Sequence, residues 1–206
     1  MWAKQKRKSG FTIVELLIVI VVIGILAAIT IVSFNGVQAK AQNTASIDAA
    51  SKYKRILMAY AAQNGQYPSG SQSVGYCLGT GYADLNNDSV GDCVYNGSGG
   101  YVSEDSTFSS ALKSVASQPA VDVKLYSRTT DSAKVSGIRY DYGSDRTIDG
   151  KSNPFWIVYL LQGSSSKCGD GTVQISTWPA FVTNGGNPDV FGSSGVQCWL
   201  PLPSPN

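Results

Sequence analysis

Apolar residues are spread unevenly along the chain. Across residues 11–34 only Thr12, Glu15, Thr30 and Ser33 are polar, a run of 24 residues. At about 1.5 Å per residue that is roughly 36 Å of helix, enough to cross the hydrocarbon core of a bilayer. Beyond it the helical pattern continues with a narrower apolar stripe. Ala45, Ala49, Tyr53, Ile56, Leu57 and Tyr60 recur at spacings of three and four, and Lys52, Lys54 and Arg55 lie on the other side or at its border. This is one apolar face of an amphipathic helix. Asn64-Gly65 is a helix stop and Pro68 confirms the exit. The pattern predicts one helix over residues 12–63, roughly 78 Å if straight, with a soft point at Asn35-Gly36.

Downstream, the apolar or aromatic-alternating runs at 123–128, 136–142, 155–161 and 172–177 predict strands. Residues 143–153 read as a turn between the second and third, and residues 106–117 as a short helix. Strands joined by short loops pair antiparallel. The expected fold class is α+β. A long N-terminal helix, membrane-spanning in its first half and amphipathic in its second, packs on an antiparallel sheet. A looped C-terminal region follows, with an extended Pro-rich tail over 201–206.

Composition refines this picture. The chain's 206 residues suit one modest soluble domain with one appended element. The part after residue 34 is rich in Ser, Gly, Asn and Tyr, as suits a loop-rich exposed domain. The net charge of +2 conceals an asymmetry: Lys4, Lys6, Arg7 and Lys8 carry four of the sixteen basic residues, which leaves twelve basic against fourteen acidic, a balance of −2. No basic surplus remains for phosphate contacts, and no nucleic-acid site is evident. The basic cluster marks the cytoplasmic side of the apolar run and sends the rest of the chain outside.

Four cysteines, Cys77, Cys93, Cys168 and Cys198, all lie beyond the apolar run. An even count there points to two disulfides in an oxidising compartment. Three pairings are open; Cys77–Cys93 with Cys168–Cys198 closes the shorter loops and is favoured. Four free thiols in a reducing cytosol is the alternative. No two cysteines are close-spaced and the chain has no His, which disfavours zinc and excludes Ser-His-Asp and Cys-His catalysis. The GSGG at 97–100 lacks the Lys of a phosphate loop. The chain does not read as an enzyme, and it requires no cofactor.

Residues 84–92, DLNNDSVGD, hold a candidate Ca²⁺ loop. Asp84, Asn86, Asp88 and Asp92 are near-alternating oxygen donors, and Val90 offers a backbone carbonyl. The stretch departs from an EF-hand, with Ser89 at its sixth position and Tyr95 at its twelfth. It looks closer to the acidic loops of thrombospondin type 3 repeats. The plainer alternative is an Asn/Asp turn whose side chains bond their own backbone. Asn87-Asp88-Ser89 and Asn96-Gly97-Ser98 match the glycosylation sequon.

A cleaved secretory signal would have an apolar region of about 7–15 residues, so the 11–34 run is too long for one. A permanent anchor has no use for a carboxylate at Glu15. The order basic leader, Ser9-Gly10-Phe11, Glu15 and apolar run resembles the type IV pilin superfamily, including the pseudopilins. The match covers residues 1–34, and more loosely the helix to Pro68. The resemblance implies a leader over 1–10, cut after Gly10 by a prepilin peptidase that also N-methylates Phe11. It implies a membrane and filament-core helix over 11–34, an amphipathic continuation over 35–65 and an extracellular head over 66–206. Glu15 and Gly24 would serve assembly. Val32 stands where the family often carries Pro, which weakens the family's tendency to unwind the helix between Gly24 and that position.

The implied partners are further copies of the chain, the processing peptidase, an assembly platform in the membrane, and lipid before assembly. The implied function is a pilus subunit, single-pass in the cytoplasmic membrane and then part of an extracellular filament, with adhesion, twitching motility or DNA uptake as the family's roles. Two alternatives stand beside it. One is a pseudopilin or minor pilin of a type II secretion or competence apparatus. The other is a monomeric, membrane-anchored extracellular binding domain.

Overall fold

The computed structural model describes residues 11–70, 72, 75–96, 99–123, 125–128, 133–148, 151–163, 166–178, 181–183 and 195–205. Helix α1 spans Ile13–Asn64. No break is assigned at Gly24, Val32 or the Asn35-Gly36 soft point. It ends where the sequence places the stop: Gly65 takes φ 75°, and its N–H donates to Ala61 O at 2.8 Å. That left-handed cap is open to Gly at little cost. The chain divides into two compact units, residues 1–38 and 39–206.

In the second unit, α1 buries Ala49, Ala50, Tyr53, Ile56, Leu57 and Ala61. The face is turned slightly from the expected one: Ala45 is exposed and Tyr60 half-buried. It packs on the first of two five-stranded sheets. That sheet has the order β1-β6-β7-β10-β8, from Gly75–Leu78, Ile138–Ile148, Lys151–Gln162, Gly195–Pro201 and Val173–Trp178. The second sheet has the order β3-β2-β5-β4-β9, from Tyr101–Ser103, Asp92–Tyr95, Lys134–Ser136, Leu125–Arg128 and Phe181–Thr183. Every pairing is antiparallel. Helix α2, Ser106–Lys113, is shorter than expected and is capped by the Asp105 carboxylate, which accepts from Phe108 N at 2.8 Å.

Three expectations need correction. Most of the expected 143–153 turn is strand: residues 143–148 belong to β6 and 151–153 to β7, paired antiparallel with a register shift between Tyr142 and Arg146, while 149–150 lie outside the described residues. Strands β1, β2 and β3 precede α2. The C-terminal region is not merely looped, because β10 lies between β7 and β8. The tail after it is held rather than free. Leu202 is buried, its N–H donates to Phe155 O, and Tyr67 Oη donates to Pro203 O at 2.6 Å.

Strand period explains the core. Ile157, Tyr159 and Leu161 of β7, with Val196, Cys198 and Leu200 of β10, share one cluster with the helix. Trp156, Val158 and Trp199, on the alternate positions, form a separate buried cluster. Both faces of this sheet are therefore covered, which is why β7 reads FWIVYLL without polar interruption. Disulfide Cys77–Cys93 ties β1 of the first sheet to β2 of the second, and Cys168–Cys198 ties the 166–172 segment to β10. Where α1 enters the unit, Asn43 acts as an extra strand partner for the end of β7. Its Oδ1 accepts from Gln162 N at 2.8 Å, and its Nδ2 donates to Gln162 O at 2.9 Å and Ser166 Oγ at 3.0 Å.

Candidate assembly site

Within residues 1–38, the described part begins at Phe11, so Gly10 and the rest of the leader lie outside the described residues. Phe11 is 85% exposed, and every residue over 11–30 is exposed. Among the described residues α1 is the one helix long and apolar enough to cross a membrane, over residues 13–30. A side chain placed at Gly24 would meet nothing within 4 Å, so the backbone there is open to close approach by another helix.

Glu15 is engaged at the very start of this helix. Its Oε2 accepts from Thr12 N at 2.9 Å and from Thr12 Oγ1 at 2.7 Å. In return, Glu15 N donates to Thr12 Oγ1 at 3.3 Å. With α1 beginning at Ile13, Thr12 is the N-cap and Glu15 the third helical residue. The pair is a capping box, two otherwise orphaned N–H groups satisfied reciprocally. The spacing Thr-x-x-Glu carried that signal in the sequence, and reading Glu15 only as a charge in a membrane helix missed it. Both bonds fall on Oε2. Oε1 keeps its acceptor capacity.

The acidic loop is held by hydrogen bonds to its own backbone. Asp84 is exposed and gathers its own backbone: Oδ1 accepts from Asn86, Asn87 and Asp88 N, and Oδ2 from Ser89 N at 2.9 Å. Asp88 accepts from Asn86 Nδ2 and from Val90 N. Asp92 is buried in β2, accepting from Leu85 N at 2.9 Å and from Ser103 Oγ at 2.5 Å. Asp84, Asn86 and Asp88 share one turn, while Asp92 faces the sheet. Among the described residues no group of three acidic or Cys side chains is arranged to hold a metal ion. Desolvation works to raise the Asp84 carboxyl, but the four N–H bonds outweigh it and hold the group below the usual carboxylate range. Sequence reasoning also missed Glu104, whose Oε1 accepts from Gly81 and Tyr82 N and fastens the base of the loop.

Fold and site together define a class of protein: an exposed apolar helix with a capped carboxylate at its head, leading into a disulfide-bonded α+β domain. The comparisons sharpen this. Residues 5–31 match the prokaryotic N-terminal methylation motif. The chain is 36% identical over 73 residues to a fimbrial protein of Neisseria meningitidis serogroup A, covering 35% of this chain and 43% of the relative. It is 35% identical over 68 residues to a type IV major pilin protein, PilE1, of Neisseria gonorrhoeae, covering 33% and 41%. It is 31% identical over 71 residues to a type II secretion system core protein G of Aeromonas hydrophila, covering 34% and 50%. The chain thus spans half or less of the length of these relatives. No solved structure matches it at a significant level. The likeness to fimbrial, type IV pilin and type II secretion core proteins thus rests on the N-terminal third of the chain.

Proposed function

We propose that the chain is a precursor cut after Gly10 and N-methylated at Phe11, whose mature form polymerises into a type IV pilus. The observation that carries this reading is the placement of Glu15. It is the lone ionised side chain in an exposed apolar segment, and its helix already uses one of its oxygens. Cutting before Phe11 removes the four basic residues and creates one new cation, the Phe11 amine. In a filament core, the amine of a neighbouring copy would meet Glu15, and a carboxylate unpaired among apolar helices is strongly disfavoured. This pairing would recruit each subunit and set its register. Close helix approach at Gly24 supports packing, which gains less relative to lipid than to water. The 39–206 unit would form the outer surface, tied by its two disulfides.

The likeness to a type II secretion system core protein G supports a second reading, a pseudopilin or minor pilin of a secretion or competence apparatus. Mass spectrometry of the chain from cells, with electron microscopy of sheared surface material, separates the readings. A cut, methylated Phe11 with filaments is the expected result. A cut Phe11 without filaments favours the pseudopilin. An uncut N-terminus refutes both and leaves a monomeric anchored binding domain.

A further inference from the structure

Two irregularities of the β structure meet at one small cavity. The first is the corner where the chain passes from the second sheet to the first. Ser136 ends β5, Ile138 begins β6, and only Gly137 lies between them. Gly137 takes φ 57°, and a Cβ there would lie 2.4 Å from Tyr82 Oη, so the corner is built for glycine alone. The second is the register shift between Gly195 and Gln197 where β10 pairs β8. Such a shift leaves polar groups without their ladder partners.

The cavity between them measures about 10 Å³ and is lined by Ser136, Gly137, Arg139, Val158, Leu160 and Gln197 among others. Ser136 and Gln197 are 6% and 4% exposed. Ser136 Oγ and Gln197 Oε1 are both buried, and neither has a hydrogen-bond partner among the described residues. An orphaned buried oxygen is expensive, and two lining one cavity share a remedy. The ligand must donate to the Gln197 carbonyl oxygen, which only accepts, and must exchange a bond with a hydroxyl. It must also fit a space of about 10–15 Å³, the room one water needs. Arg139 is committed elsewhere, with its Nε 3.5 Å from Asp141 Oδ2 and its guanidinium 5.5 Å from the Trp199 ring centre. A bound anion would face the carbonyl oxygen of Gln197 and is disfavoured.

We propose that this cavity is a binding site for one resident water molecule, which bridges Ser136 Oγ to Gln197 Oε1. The water joins the β5–β6 corner to the shifted register of β10, and so links the two sheets independently of the Cys77–Cys93 disulfide.

The test is water–protein NMR on the full chain in detergent micelles, with Ser136→Ala, Gln197→Met and the double variant. In the unmodified chain the Gln197 side-chain amide should show a negative nuclear Overhauser effect to water, the sign of a long-lived bound molecule. Each single variant should lower the thermal midpoint by about 2–4 °C, the shift for one lost buried hydrogen bond at this size. The double variant should fall no further than the worse single one, because one shared water can be lost only once. The absence of a negative effect at Gln197 overturns the proposal, and so do additive midpoint shifts.

Discussion

Replacing Cys77 and Cys93 together by Ala removes the bond that joins β1 to β2 and leaves the rest of the fold in place. The bridged residues are 16 apart. The loop-closure relation then gives about 3.1 kcal/mol of lost stability from the freer unfolded chain. Both side chains are essentially fully buried, so the removed sulfurs add a packing loss of roughly 1 kcal/mol in total. The expected change is about 4 kcal/mol, a large part of the 5–15 kcal/mol of an ordinary domain. Guanidinium unfolding of the full chain in micelles reads it. Trp156 and Trp199 are natural reporters, buried edge to face with ring centres 5.9 Å apart. The midpoint should fall by roughly 0.7–2 M, for slopes of about 2–6 kcal/mol/M. Reductant on the unmodified chain also opens Cys168–Cys198, whose 30-residue separation adds about 3.6 kcal/mol by the same relation. Reduction should therefore lower the midpoint further than the variant does. A variant unfolding at the unmodified midpoint, or a midpoint insensitive to reductant, would refute the reasoning.

Three further outcomes follow from named contacts. Asn43→Leu keeps the volume but loses the three bonds to Gln162 and Ser166; it should cost about 1–3 kcal/mol and speed hydrogen exchange at Gln162 N, and unchanged exchange there counts against the extra-strand role. Glu15→Val should still insert and be cut but should give few filaments by electron microscopy; filaments in normal number would remove Glu15 from assembly. At Asp84 the folded carboxyl titrates below its unfolded value of about 3.9, so its contribution is present above that value and lost as pH falls through the lower folded one. Asp84→Asn should accordingly flatten the acid limb of the unfolding curve below about pH 4. Calorimetric titration of the unmodified chain with Ca²⁺ tests the candidate cation loop: heat abolished by Asp88→Ala would establish a site at residues 84–92, and no heat at millimolar metal would reject it.

The helix, its stop at Asn64-Gly65 and its apolar face were legible because periodicity over many turns averages out local exceptions. Ala45 was such an exception, a small residue that fits either side of a helix. The core strands β6 and β7 were legible from long apolar runs. The extension of β6 to Ile148 and the start of β7 at Lys151 were not, since Gly143, Ser144 and Asp145 carry turn chemistry and pairing across a register shift overrides it. Strands β1, β2 and β3 are three or four residues each, too short for alternation to stand out among glycines and asparagines. In β10, Pro201 argues for an ending, and the inward residues Val196, Cys198 and Leu200 were passed over. The Gly10-Phe11 and Glu15 pattern was readable as a motif, and residues 5–31 match the prokaryotic N-terminal methylation motif. The capping role of Thr12 needed only the Thr-x-x-Glu spacing, but the Asn43 clamp joins residues 119 apart and no local pattern could disclose it.

Both partners of the Thr12–Glu15 box lie on the same side of the Gly10–Phe11 bond. The first turn of α1 is consequently closed by atoms that a cut at that bond leaves untouched. Processing would change the charge at the tip of the helix without asking the helix to re-form. On the proposed reading, a precursor would wait in the bilayer with its final secondary structure already set, and removal of the leader would act as a change of label rather than a step of folding.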